Sequence, residues 1–384
     1  MLLSLLLFFG FAVIKGLIYM VKLMLGKRPK INQKTVLKDI YQLGLMFLVL
    51  AIVVVLSQRT VGTPRIDGEN AISELREVEF NGRKQWISIR GEDQAAPILL
   101  FLAGGPGGTQ LAAVRHELHE LEAHFVVVGW DQPGSGKSYG SGKNMTHDDY
   151  LADGIELTDY LIDAFGKDKI YLMGESWGSY LGVRLAEKAP EKYTGLMTTG
   201  QMVNFLETER LDYSKAIELT FRSGNFKMMN KLIANGKPPY FGKDITFKIA
   251  PYLGVLNDEM ARNPNIHNSG YNTIRDILSP EYGILDKINF FRGIVYTFND
   301  VYQQLYELDL CETTPALDVP VHMLIGRHDL NAPTQLAEEY FELLEAPHKS
   351  WVWFEHSGHN PWINETDAFV REVLFFKSLF TGTR

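Results

Sequence analysis

The chain has 384 residues, 46% of them hydrophobic and 22% charged, enough for one good-sized globular core with further segments attached. Its formal charge of −8 is uneven: residues 1–60 carry eight basic side chains and one acid, Asp39, for a net +7, against −15 over the remainder. A body this acidic repels a phosphate backbone, which excludes nucleic acid as a partner, and the single cysteine, Cys311, excludes an intramolecular disulfide and reads as a small buried hydrophobe.

In chain order, the first feature is an apolar run over residues 2–25, interrupted by Lys15 and Lys22. Met1 leads straight into leucines and no A-x-A-like site follows, so the run departs from a secretory signal peptide. It reads as a first spanning helix, or as an interfacial helix whose lysines snorkel. A second run, 40–56, carries no charge and reaches the lower limit for a spanning helix, roughly 17 residues. Between them the basic loop 26–39, with Lys27, Arg28, Lys30, Lys34 and Lys38, belongs in the cytoplasm by the positive-inside rule. Residues 1–60 are thus expected to be a membrane anchor, multi-pass or single-pass, with lipid as the partner of its helices. Everything after Ser57 is then expected on the extracytoplasmic side of the cell membrane. Polar residues with Gly and Pro follow, and 61–74 read as a tether.

From residue 75 the pattern changes. Leu75–Phe80 and Lys84–Arg90 flank Asn81-Gly82, a favoured tight-turn pair, and predict a hairpin. Short apolar runs at 98–102, 125–130, 170–173, 196–199, 321–325 and 351–354 read as buried parallel strands. Helical patterns separate them, among them His147–Phe165, with Thr146 as its cap and acids in its first turn, and Ser179–Lys188. The alternation predicts an α/β fold with a mostly parallel central sheet covered on both faces. It is interrupted over 201–319, a helix-like stretch rich in Tyr, Phe, Met and Asn. That stretch is expected to be an inserted helical cap, leaving 75–200 and 320–384 as the core.

Gly174-Glu175-Ser176-Trp177-Gly178 stands immediately after one apolar run and before a helix. A G-x-S-x-G turn in that context is tight enough to forbid a Cβ on either side, and it lifts the serine oxygen above the sheet at a helix N-terminus. A serine hydroxyl needs a base, and in this arrangement the acid and then the base follow later in the chain. Asp329 lies a few residues beyond the run 321–325. His359 lies in the loop after 351–354 and, with its Gly358 turn, is preferred to His356. Asp329 would hold the His359 tautomer and stabilise its cation. An oxyanion hole needs two backbone N–H donors: Trp177, following the nucleophile, and Gly104 or Gly105 in the loop Gly104-Gly105-Pro106-Gly107-Gly108. The sequence does not choose between those two glycines. Asp131-Gln132-Pro133-Gly134 reads as a turn packed beside the elbow.

Taken in order, Gly-Gly-Pro-Gly-Gly, Asp-Gln-x-Gly-x-Gly-x-Ser, Gly-x-Ser-Trp-Gly-Ser, Gly-x-x-Asp and Gly-His-Asn-Pro resemble the proline iminopeptidase branch of the α/β-hydrolases over roughly residues 75–380. The resemblance implies an α/β-hydrolase fold, the triad Ser176, Asp329 and His359, and removal of an N-terminal residue, often proline, from short peptides. It further implies that cap acids read the substrate's free amine, for which the chain offers Glu207 and Glu209. Three positions depart from the pattern: Ala103 for the usual His, Pro133 for Arg, and Glu175 for Gly. They leave an esterase or amidase as an alternative, and a membrane-tethered ligand receptor as an alternative of another class. No cofactor is expected. No H-E-x-x-H or Cys/His cluster marks a metal site, and His116 and His119 have no third ligand.

Overall fold

The computed structural model describes residues 33–267 and 270–380, together with Gly16 and Met24. The run 2–25 and most of the basic loop lie outside the described residues. The chain divides into two units, Met1–Thr60 and Val61–Arg384. In the first, α1 (Gln33–Arg59) contains Ile40–Arg59, 20 residues of mean hydropathy 2.5, none of them buried. At 1.5 Å per residue that stretch is about 30 Å long, the thickness of a bilayer's hydrocarbon core, so it is long and apolar enough to cross a membrane.

The second unit is built on an eight-stranded sheet in the order β1-β2-β4-β3-β5-β6-β7-β8. β1 (Ile72–Phe80) and β2 (Arg83–Gly91) form the expected hairpin, with Asn81 and Gly82 both at positive φ, as its two-residue turn requires. β2 also pairs antiparallel with β4 (Val126–Asp131). β3 (Ile98–Leu102), β4, β5 (Ile170–Glu175), β6 (Tyr193–Thr199), β7 (Val321–Gly326) and β8 (Lys349–Phe354) run parallel. Their apolar runs are continuous because both faces are covered. Leu100, Leu102, Val128 and Leu172 point to one core layer, while Leu99, Phe101, Val127 and Met173 point to the other.

Helices supply both layers: α2 (Leu111–Glu117), α3 (His147–Phe165), α4 (Trp177–Lys188) and, near the C-terminus, α12 (Thr334–Leu343), α13 (Pro361–Asn364) and α14 (Thr366–Phe380). α3 has the expected bounds and opens on a full capping box, in which Thr146 and Asp149 satisfy each other's backbone N–H. α4 starts two residues earlier than its apolar pattern, at Trp177, because the elbow itself forms its first turn.

The chain between β6 and β7 is helical: α5 (Phe205–Arg222), α6 (Phe226–Asn235), α7 (Ile245–Arg262), α8 (Thr273–Leu278), α9 (Ile284–Arg292), a π-turn at Gly293–Thr297, α10 (Phe298–Tyr302) and α11 (Leu310–Thr313). This insert comes down onto the loops at the C-terminal ends of the strands. A Cβ on Gly107 would lie 2.4 Å from the Gly293 carbonyl, and one on Gly134 would meet Thr297.

The tether expectation needs correction. Residues 72–74 already belong to β1. Gly62 N–H donates to the Pro280 carbonyl at 3.1 Å, Thr63 Oγ1 to Glu281, and Arg90 to Thr63 and the Pro64 carbonyl. Polar composition signals an exposed strap equally well when its backbone is pinned to the body.

Candidate active site

Ser176 sits between β5 and α4 at φ 54°, ψ −122°, a left-handed conformation costly for a residue with a side chain. Its glycine neighbours are a steric necessity. A Cβ on Gly174 would stand 2.3 Å from the Gly178 carbonyl, and one on Gly178 would stand 2.0 Å from the Leu102 carbonyl at the end of β3. The elbow is tied at its back, where Ser176 N–H donates to the Thr199 carbonyl at 3.0 Å and Ser179 Oγ–H to the Ser176 carbonyl.

β7 and β8 bring the other two residues together. A Cβ on Gly326 would overlap the Gly358 carbonyl at 1.8 Å, so the loops after these strands run in contact. His328 N–H donates to the Ser357 carbonyl at 2.9 Å. His359 Nδ1 lies 2.8 Å from Asp329 Oδ2, whose second oxygen accepts the N–H groups of Asn331 and Ala332. The ring rests on Gly200, where a Cβ would stand 2.7 Å from Cε1. His356 instead faces outward, stacked on His267 at 4.0 Å.

Beside the elbow, two features escaped the sequence reading, the roles of Glu175 and of Gln110. Glu175 is a buried carboxylate inside the site: Oε2 accepts Gln110 Nε2–H at 3.0 Å, and Oε1 lies 3.6 Å from His359 Nε2. Burial pulls His359 toward its neutral form, but Asp329 at one nitrogen and Glu175 near the other outweigh it and raise its pKa to about 9. Gln110 also takes the Gly104 N–H on its side-chain oxygen at 3.2 Å. Among the described residues this leaves the N–H groups of Gly105 and Trp177 without a hydrogen-bond acceptor. Gln132 clamps the assembly, accepting Trp177 Nε1–H at 2.9 Å and donating to the Ala103 carbonyl at 3.1 Å. The Asp131-Gln132 motif therefore supports the elbow; Asp131 itself is buried, accepting from Thr109 and from the Lys137 backbone N–H.

The cap acids separate. Glu207 stands on the outer face of α5, half-exposed and paired with Arg210 at 3.4 Å, so the expectation that it faces the site is corrected. Glu209, two positions on, turns inward and is buried. Its neighbour on that face is Asp212, one turn further, which the sequence reading missed although the i, i+3 spacing announces it. Tyr302 O–H donates to Glu209 Oε1 at 2.6 Å, whereas Glu209 Oε2 and Asp212 Oδ1 are buried without a hydrogen-bond partner among the described residues. Burial, against the Tyr302 hydrogen bond, pushes the Glu209 carboxyl up to about 8. Burial, then Glu209 and Asp329, raise Asp212 well above the carboxylate range. Phe205 links this pair to the elbow, packing on Trp177, Tyr180 and Tyr302.

A cleft of ≈ 310 Å³ opens against His359, lined among others by Asn257, Met260, Tyr271, Asn331 and Asn360. Among the described residues no His, Cys, Asp or Glu cluster is disposed to hold a metal ion. His116 bonds to Ser279 and His119 to the His116 carbonyl. Cys311 is half-buried beside the core, and burial raises its thiol pKa to about 11, leaving it protonated at neutral pH.

A nucleophile elbow at the end of a central parallel strand, with the helical insert after β6, defines an α/β-hydrolase. Residues 97–366 match the family model of the alpha/beta hydrolase fold, and the chain belongs to that family. Over 314 residues it is 32% identical to the probable aminopeptidase YbaC of Bacillus subtilis (strain 168), across 80% of this chain and 97% of that protein. It is 23% identical to the proline iminopeptidase of Clostridioides difficile (strain 630), across 76% of this chain and 94% of the relative. In fold it is similar to the crystal structure of the proline iminopeptidase of Mycobacterium smegmatis, with a TM-score of 0.56 and 18% identity over 79% of this chain and 97% of that one. The chain is a hydrolase of the proline iminopeptidase-like branch.

Proposed function

We propose that this protein is a membrane-anchored aminopeptidase of the proline iminopeptidase type, removing the N-terminal residue of short peptides through an acyl-enzyme on Ser176. The observation that carries this reading is the Glu209–Asp212 pair. Two buried carboxyls with unsatisfied oxygens are poorly stable alone and suit a buried ammonium, which would compensate both. The aminopeptidase and iminopeptidase relatives support the same chemistry.

In this mechanism His359 Nε2 takes the Ser176 hydroxyl proton as Oγ attacks the carbonyl carbon of the first residue. The N–H groups of Gly105 and Trp177 receive the oxyanion. The intermediate collapses as His359 returns the proton to the leaving nitrogen, so the C–N bond breaks and the shortened peptide departs with its new amine. Water, deprotonated by His359, then releases the first residue as its free acid and restores Ser176. The free amine of the substrate lodges as an ammonium between Glu209 and Asp212, where its charge offsets the burial that raises both carboxyls. The basic loop 26–39 and the apolar stretch Ile40–Arg59 support anchorage with the hydrolase unit on the extracytoplasmic side.

The test uses the full chain in detergent with prolyl-, alanyl- and other aminoacyl-arylamides. Release that is abolished by Ser176→Ala is expected. Glu209→Gln and Asp212→Asn should each lower kcat/KM for free-amine substrates roughly 10- to 100-fold, the worth of a hydrogen bond to a charged group, and leave N-acetylated ester substrates little changed. Turnover of short acyl esters without any aminoacyl release would replace this reading with an esterase. A native protein that resists fluorophosphonate labelling would replace it with a non-catalytic receptor. Reporter activity in the cytoplasm from a fusion after residue 384 would overturn the topology.

A further inference from the structure

Residues 273–296 have their polarity reversed. All three acids of this stretch are buried: Asp276 beside Arg275, Glu281 beside Arg115 and Asp286 beside Lys137, at 8%, 1% and 5% exposure. The large apolar side chains point outward instead, with Ile274 75%, Leu278 67%, Ile288 51% and Phe291 59% exposed, and Ile294 and Tyr296 continuing the surface. A water-facing helix pair would place its acids outside and its leucines inside. An exposed apolar face of this kind marks an interaction surface, and the absence of exposed acids within this stretch suits a lipid surface in particular.

The chain itself says what covers the face. Gly62 N–H is pinned to the carbonyl of Pro280, in the loop between α8 and α9, and Thr63 to Glu281 in the same loop. The apolar stretch of membrane-spanning length ends at Arg59. Three residues reach at most roughly 11 Å, so a chain leaving a bilayer at Arg59 holds Gly62, and with it Pro280, within that reach of the lipid surface, and the exposed Ile274, Leu278, Ile288 and Phe291 all lie within eleven positions of Pro280 in the chain. We infer that the face formed by α8, α9 and the π-turn is a monotopic docking surface, seated in the headgroup region of the membrane that α1 enters. Part of this argument rests on the anchoring reading, so the test reads the two separately.

The full chain carrying Cys311→Ala, with one further substitution at a time — Leu48→Cys, Phe291→Cys or Leu343→Cys — is labelled with an environment-sensitive fluorophore. It is then reconstituted into phosphatidylcholine–phosphatidylglycerol vesicles. Brominated acyl chains quench from the bilayer and iodide quenches from water. The expected result is bromine quenching and iodide protection at positions 48 and 291, and the reverse at 343, an exposed site on α12; Ile288→Cys should repeat the result of 291. Quenching at 48 with an aqueous label at 291 overturns the docking face and leaves the anchor standing. An aqueous label at 48 with bromine quenching at 291 rejects the anchor and supports docking. Aqueous labels at both positions overturn both. A label at 291 protected from iodide yet untouched by bromine shows a protein cover, such as a second copy, and overturns the lipid assignment. So does equal bromine quenching at 291 and 343.

Discussion

His359 is flanked by carboxylates at both ring nitrogens, 2.8 Å from Asp329 and 3.6 Å from Glu175. A general base must be neutral to accept the serine proton. With the ring raised to about 9, kcat/KM should climb with pH from neutrality towards that value. Glu175→Gln removes one of the charges that favour the cation, so the acid limb of its pH–rate profile should shift to lower pH; an unmoved limb would show that Glu175 does not act on the base. The same shift bears on stability. The folded protein holds a proton on His359 between its ordinary 6.5 and about 9, where the unfolded chain has released it, so this group's stabilisation is full below that window and lost as pH rises through it. Denaturation midpoints across that range should fall less steeply in Glu175→Gln. Gly200 supplies a steric test. A methyl there would lie 2.7 Å from His359 Cε1, and displacing the ring by about 1 Å should lower kcat roughly 100-fold with the circular dichroism spectrum unchanged.

Among the elements, the elbow works because three strand ends are locked to one another. Gly178 abuts the Leu102 carbonyl of β3, the Ser176 N–H is held by β6, and Gln132 after β4 joins Trp177 to Ala103. Gln132→Ala leaves a buried indole N–H and a buried carbonyl unpaired, each costing about 1–3 kcal/mol. It should lower the denaturation midpoint and, because Trp177 carries a proposed oxyanion donor, lower kcat as well. A stability loss with kcat intact would confine Gln132 to a structural role. The strands, α3 and the hairpin were legible in the sequence because each is dictated by local patterns: continuous apolar runs, a capping box, an Asn-Gly turn. The strap Gly62–Pro64 was not, since its partners Arg90, Pro280 and Glu281 lie tens to hundreds of positions away.

For the whole molecule, the division of charge follows the division into units, net +7 over residues 1–60 and −15 over the remainder. The basic N-terminal segment and the apolar stretch Ile40–Arg59 are the features on which the proposed anchoring rests. The full chain should stay with membranes through an alkaline wash, and deletion through Arg59 should release it; full-length protein found in the wash supernatant would reject the anchor.

In the sequence alone, Ser176 already stands out as the nucleophile of the proposed reaction. G-x-S-x-G after an apolar run, Asp329 and His359 after later runs, and the glycine-rich loop point to Ser176 and its proposed partners, because a sharp turn and a strand end are local events. The class of fold follows from sequence as well, since strand–helix alternation forces a parallel sheet. Tertiary structure alone decided which acids face the site. Glu207 and Glu209 are two residues apart and chemically alike, yet the rotation of α5 sends one to water with Arg210 and the other inward beside Asp212 and Tyr302. Only the structure brought Glu175, an apparent substitution in a motif, to His359, and Gln110 to the Gly104 N–H, which leaves Gly105 as the second oxyanion donor of our reading. Side-chain facing and long-range hydrogen bonds depend on how elements pack, and one-dimensional patterns carry that information only where periodicity meets a known partner.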